Sequence, residues 1–343
     1  MKQFVFLDIQ QYPDQDMHQE KEILAAAGYE CKLCTCSTPA EIIEEAKDAE
    51  VIGDVYQKID DAILDKLPNL KCAVRYGIGY DHLDVDACTR HGVFACNLPT
   101  YCLDDVAQVA VGLMLDLARK NTFYNMDCRK GNWNVGLGYT PHRMDYYTIG
   151  FCGFGNIARS VWKFLKPFGC KAIAYDAYLP DSVFEEQGVE KVDFDGLLTQ
   201  SDMITIHVPS TPETHHLFNE ETIGKMKDGA MLINTARGAI VSNKALVDAL
   251  KSGKLAAAAL DVNEDEPIHD PNHFLYTADN LIVLPHTAYN TAEAADAMHT
   301  EVGQIAVACM NGTLATDPVF TKHIVREQRP YIQQILEMQA KKG

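Results

Sequence analysis

Apolar positions fall in two alternating patterns along the first third of the chain. Short apolar runs predict buried strands at Phe4-Val5-Phe6-Leu7 and at 30–36, 51–55, 70–75 and 93–97. The stretches between them, 21–27 (closed by Gly28), 39–46 and 60–67, repeat apolar residues at helical spacing. Strand and helix in turn are the signature of a parallel sheet covered by helices. The stretch 104–119 is apolar around most of its circumference, which predicts a helix buried on most sides. Such a helix can pass between domains or lie in a subunit interface. Residues 121–144, with Trp133 and no clear period, read as a connecting loop.

The alternation then resumes. Strands are predicted at 147–152, 171–175, 202–208, 230–235, 256–261 and 281–284. Helices are predicted at 157–164, 220–226 and 243–251, the last preceded by Ser242 as N-cap. After His286 a helix is expected at 291–310, followed by a polar tail. Two such sets predict an α/β chain with two Rossmann-like domains, each a doubly wound parallel sheet.

The densest signal is Gly153-Phe154-Gly155-Asn156-Ile157-Ala158, set between a strand and a helix. Gly153 permits a sharp turn off the strand, and Gly155 leaves room for a pyrophosphate. Small Ala158 lets helix and strand pack closely. The phosphates would rest on the helix N-terminus at Asn156 and Ile157. Asp176 ends the next strand at roughly the 20-residue spacing at which an acid meets an adenosine ribose. A carboxylate there accepts from both ribose hydroxyls and repels a 2′-phosphate, which favours NAD over NADP. The same stretch without a ligand would be only a tight strand-helix turn.

Composition narrows the classes. At 343 residues there is room for two cores, and 47% apolar with 23% charged content is that of an ordinary soluble globular protein. No apolar run is long enough to span a bilayer, and Met1-Lys2-Gln3 leads directly into a strand, so a cytoplasmic location is expected. A net charge of −18 repels nucleic acid and anionic membranes, so no partner of either kind is expected and an anionic substrate needs a local cation. Eleven scattered cysteines read as reduced thiols. Cys31, Cys34 and Cys36 cluster, but they lie on a predicted strand without a second ligand pair, so no metal is expected.

Ligands in such sheets gather at the carboxyl ends of strands. Arg237, Asp261 with Glu266, and His286 all follow strand ends. A guanidinium can grip a carboxylate with two parallel hydrogen bonds, and an imidazolium can protonate a carbonyl oxygen as hydride arrives. A carboxylate beside that imidazole holds it in place and favours its charged form. Taken singly, each has an ordinary reading: a structural histidine, a surface arginine, and an acidic loop Glu264-Asp265-Glu266 that is merely solvated. Arg75 ends another strand before Gly77-Ile78-Gly79, where exposed amides can form a carboxylate-holding nest or a plain turn.

Together these stretches resemble the D-isomer-specific 2-hydroxyacid dehydrogenase family over nearly the whole chain. The resemblance rests on RYGIGYD (75–81), NLPTYCLDD (97–105), the glycine motif, HVPSTPET (207–214), INTARGAIV (233–241), LDVNEDEP (260–267) and PHTA (285–288). It implies Arg237 as the substrate-binding arginine, Glu266 as partner of the histidine and His286 as the proton donor. It places Val208, Pro209, Thr235, Ala236 and Asp261 around NAD, and gives Ile78 and Gly79 as donors to the substrate carboxylate. Tyr101 and Tyr289 match positions that shape the substrate side-chain pocket. Asn263 departs from an aromatic common in the family. The implied organisation is a split substrate domain, 1–100 and 290–343, with an NAD-binding domain, 101–289, inserted and the cleft between them. The implied activity is interconversion of a 2-keto acid and an (R)-2-hydroxy acid, by a cytoplasmic homodimer. The alternatives are an NAD-sensing, corepressor-like binding protein and, within the enzyme class, a phosphoglycerate or hydroxypyruvate type of dehydrogenase.

Overall fold

The computed structural model describes residues 2–10 and 17–342. These form two compact units, 2–101 with 291–342 (less 11–16) and 102–290. The expected strand start at Met1 and the last tail residue, Gly343, lie outside the described residues.

The first unit holds a five-stranded sheet of β1 (Gln3–Phe6), β2 (Glu30–Leu33), β3 (Val51–Asp54), β4 (Cys72–Arg75) and β5 (Phe94–Cys96). All its pairings are parallel, in the order β2-β1-β3-β4-β5. Side chains alternate across such strands. Phe4, Phe6, Val51, Val74 and Cys96 therefore face a core shared with Met298, Val302 and Ile305. Val5, Ile52, Ala73 and Ala95 face another, shared with Ile42, Ile63 and Ala87. The helix Pro39–Ala46 starts as its sequence dictates, with Thr38 and Glu41 forming a reciprocal capping box.

The second unit holds seven strands: β6 (Thr148–Cys152), β7 (Lys171–Tyr175), β8 (Glu190–Lys191), β9 (Met203–Ile206), β10 (Ala230–Asn234), β11 (Leu255–Leu260) and β12 (Leu281–Val283). Their order is β12-β11-β10-β9-β6-β7-β8, with every pairing parallel. The order reverses beside β6, between β7 and β9, and ligands bind at such a switch point.

Three readings need correction. Residues 121–144 are not all loop, because Asn121–Arg129 is helical. Lys120 takes a left-handed conformation (φ 60) between this helix and Leu103–Arg119. Asp116, from the preceding helix, accepts the Thr122 amide at 2.8 Å. The start signal is thus borrowed from another helix and leaves no cap motif in the segment. The tail is also not simply polar: in its helix, Ile332–Lys342, Ile335 is buried. Ahead of it, fully buried Gln328 accepts from the Ala95 amide at 2.7 Å and donates to the Val93 carbonyl at 2.9 Å, completing the backbone of edge strand β5. The run 30–36 is a regular strand only to Leu33; beyond it the chain keeps a single antiparallel bridge, from Thr35 to Asp8.

Candidate active site

The glycine turn is built as its residues require. Gly153 has φ 84, and a Cβ there would come within 2.9 Å of the His207 carbonyl. Its amide donates to the Tyr175 carbonyl at 2.8 Å, which draws the turn towards the end of β7. Gly155 is the N-cap of the helix Asn156–Leu165 and supplies no side-chain cap. A Cβ added at Gly155 would meet nothing within 4 Å, so open space lies before the helix start. Asn156 is exposed and receives Arg159, while Ile157 is half-buried.

Asp176 sits at the end of β7 and is already engaged. One oxygen accepts the Phe154 amide at 2.9 Å, and the other accepts Tyr178 and Leu179 at 2.9 and 3.1 Å. The acid therefore fixes the shape of the glycine turn as well as presenting its charge there. After β9, His207 shares a hydrogen bond with Thr205 at 2.8 Å, and burial lowers its pKa to about 3. It precedes half-buried Val208 and exposed Pro209 as a neutral group. After β10, Thr235 is buried and its Oγ1 has no hydrogen-bond partner among the described residues. Ala236 follows, half-buried, with its amide on Asn234 Oδ1. An open helix start, a close-packed glycine turn and an orphaned hydroxyl at neighbouring strand ends fit a dinucleotide.

The polar set of this unit stands on the ends of β10, β11 and β12. Buried Asn234 donates to the Arg237 carbonyl at 2.8 Å and so shapes the arginine turn. Arg237 is half-buried and reaches the Ala236 carbonyl at 2.9 Å. Gly238 must lack a side chain, since a Cβ would fall 2.1 Å from the Asn263 carbonyl. That close approach packs the arginine turn against the loop that carries Glu266.

In that loop every carboxylate has a partner, contrary to a merely solvated face. Glu264 pairs with His216 and accepts the Asn243 amide. Asp265 takes the Asn243 side chain at 2.8 Å and lies 3.3 Å from His273. Glu266 Oε1 lies 3.2 Å from His286 Nδ1. Asn263, in place of an aromatic, is buried and accepts the Asp265 amide at 2.9 Å, a local turn bond that an aromatic could not make.

His286 is held in an unusual way. It has φ 54, a left-handed conformation uncommon outside glycine. Its amide donates to the Asp261 carbonyl at 2.8 Å, and the Thr287 and Ala288 amides donate to the two Asp261 carboxylate oxygens at 2.8 and 3.0 Å. Asp261 is buried and fully occupied by this turn. Its visible task is to support His286, whatever else it contacts. The His286 side chain stays 43% exposed beside Glu266 at 33%, so the pair remains accessible. The Tyr289 ring stands edge-on to the imidazole with centroids 6.2 Å apart.

Arg75, Ile78, Gly79 and Tyr101 belong to the first unit. Asn97 Nδ2 donates to the Ile78 carbonyl at 2.6 Å, and the Leu98 amide donates to the Gly77 carbonyl at 3.0 Å. Both carbonyls of the turn are thereby tied down, whereas the Ile78 and Gly79 amides make no hydrogen bond among the described residues. Arg75 is half-buried and donates to the Tyr76 carbonyl. Tyr101 packs on the core. Sequence reasoning gave Asn97, Gly238, Asn243 and Asp54 no role. Only the glycine of Arg237-Gly238, between two strands, carried a readable signal.

Residues 111–288 match the family model described as D-isomer specific 2-hydroxyacid dehydrogenase, NAD binding domain. The chain belongs to that family. The glyoxylate reductase of Thermococcus litoralis is 36% identical over 80% of this chain and 84% of its own length. The D-3-phosphoglycerate dehydrogenase of Methanocaldococcus jannaschii is 37% identical over 92% of this chain but only 61% of its own length, so the chain spans under two thirds of that enzyme. A crystal structure of D-lactate dehydrogenase from Aquifex aeolicus, complexed with NAD and lactic acid, superposes with a TM-score of 0.80 at 31% identity, covering 91% of this chain and 96% of that one. As a member of the D-2-hydroxyacid dehydrogenases the chain is an α/β oxidoreductase whose cofactor is NAD.

Proposed function

We propose that this dehydrogenase reduces a small, unphosphorylated 2-keto acid of the glyoxylate or hydroxypyruvate kind to its (R)-2-hydroxy acid. The observation that carries the reading is the His286 Nδ1 to Glu266 Oε1 hydrogen bond at 3.2 Å, on a histidine braced by Asp261 and left exposed. With Nδ1 engaged by Glu266, Nε2 is the nitrogen left to exchange a proton with substrate oxygen. NADH, when bound, supplies the hydride to the carbonyl carbon. His286 gives the proton to the carbonyl oxygen and Glu266 steadies the imidazolium before transfer. Arg237 binds the substrate carboxylate and polarises the ketone. Ile78 and Gly79, whose amides lack partners in their own unit, are assigned as further carboxylate donors. Tyr101 and Tyr289 are assigned to the side-chain pocket.

Glyoxylate reductases matched over most of both chains favour small substrates over phosphoglycerate. We further propose a homodimer acting in the cytoplasm. The test is NADH oxidation with glyoxylate, hydroxypyruvate, pyruvate, phenylpyruvate and 3-phosphohydroxypyruvate, with NADPH in parallel. Turnover of glyoxylate or hydroxypyruvate with NADH is expected. Preference for the phosphorylated acid would replace the substrate assignment. Silence with NADH binding intact would favour the sensor reading.

A further inference from the structure

We propose that Cys34 and Cys36 form a thiol-disulfide site that a peroxide oxidises reversibly. Their sulfurs lie 3.8 Å apart, a thiol-thiol hydrogen bond in which either can be the donor. Cys34 is half-buried, and Cys36 is fully buried beneath it. Residues two apart on an extended stretch project to the same side, with Cα atoms roughly 6.6 Å apart. That lies within the usual disulfide range, which extends to about 6.8 Å. The sulfurs must approach by somewhat under 2 Å to bond at about 2.05 Å.

The chemistry divides between the two thiols. The Cys34 pKa is lowered, chiefly because the Cys36 thiol hydrogen-bonds to it, whereas that of Cys36 is raised by the same bond and by burial. Cys34, the more accessible of the two sulfurs, is thus the attacking thiolate, and fully buried Cys36 is the resolving thiol. The Cys34 thiolate attacks one peroxide oxygen, the O–O bond breaks, and with one proton the products are a sulfenic acid and water. Cys36 sulfur then displaces the hydroxyl, losing its proton, to give the disulfide and a second water. Two thiols are oxidised and one peroxide reduced.

The site is isolated from other thiols in character. Burial raises the Cys31 pKa to about 12, so it is a poor competitor. Cys72, Cys88, Cys96 and Cys309 are enclosed in the core. The pair also has a structural connection, because the Cys36 carbonyl accepts from Gln57 Nε2 at 2.8 Å and Gln57 also holds Asp8 at 2.6 Å. Asp8 in turn accepts the Val55 amide at 2.7 Å, so closing the disulfide pulls on the turn after β3.

The experiment is peroxide treatment of the full reduced protein, followed by tryptic mapping without reductant. Residues 33–47 form one tryptic peptide carrying both cysteines and no other. It is expected to become lighter by two hydrogen atoms, and to recover its mass with dithiothreitol. In Cys36→Ser, Cys34 should instead be captured by dimedone as a sulfenic acid; in Cys34→Ser the peptide should stay unoxidised. An unchanged wild-type peptide while exposed Cys128 is oxidised would overturn the proposal, as would a link from either sulfur to Cys31. The wild-type map decides even if a variant folds poorly.

Discussion

At the scale of single residues, His286 and Asp54 make different demands. His286→Asn should keep NADH binding and lower kcat by about 100- to 10,000-fold, the range for losing a general acid. Fluorescence titration with NADH beside steady-state kinetics checks both halves, and a loss under tenfold would remove His286 from proton transfer. Asp54 ends β3 fully buried, with neither oxygen hydrogen-bonded among the described residues. Burial raises its pKa to about 8, against a partial lowering by Arg75 across the β3–β4 pair and a further raise from Asp8. The folded chain therefore holds a proton here between pH ~4, the unfolded value, and pH ~8, so stability falls as pH rises through that window. Asp54→Asn cannot ionise. Its melting temperature relative to wild type should rise from pH 5 to pH 8, and a constant difference would show that Asp54 does not titrate in this way.

At the scale of elements, the site depends on contacts that hold loops against one another. Gly238→Ala would press a methyl onto the Asn263 backbone and shift the loop bearing Glu266. Overpacking of this kind typically costs about 1–3 kcal/mol. We expect a lower melting temperature together with at least a tenfold fall in kcat; full activity would mean that the loop moves without harm. Asn97→Ala frees the Ile78 carbonyl and should raise KM for the keto acid roughly tenfold, with the NADH dissociation constant unchanged, consistent with about 1.4 kcal/mol from one lost positioning contact. Buried Lys120 joins the helix Leu103–Arg119 to the segment beyond it, reaching the Tyr139 carbonyl at 2.7 Å and lying 5.0 and 4.8 Å from the Tyr124 and Tyr139 ring centres. Its left-handed backbone explains why continuous helical spacing was not readable across 119–121.

At the scale of the whole molecule, the proposed homodimer would have twice the 38.1 kDa of the chain by sedimentation. Exposed Trp133 and Val135, at 89 and 86%, lie on the same surface segment. We expect replacement of both by serine to shift the protein towards monomer; an unchanged sedimentation mass would show that this segment does not join subunits. No helix among the described residues is long and apolar enough to cross a membrane.

The strands, the glycine turn, Asp176 and the strand-end trio were legible because each is local. Apolar runs, a glycine next to a strand and a polar residue at a strand end are written in consecutive letters, and a parallel sheet brings its strand ends together without further instruction. The sequence by itself thus determined the alternation of strand and helix, the glycine turn and the position of Arg237, Glu266 and His286 beyond the ends of their strands. Only the tertiary structure decided that Asp261 braces His286, that Gly238 lies against Asn263 and that Gln328 completes an edge strand far earlier in the chain. These contacts join residues distant in sequence, and their energies come from shape and from satisfying buried polar groups, neither of which leaves a periodic trace in the letters.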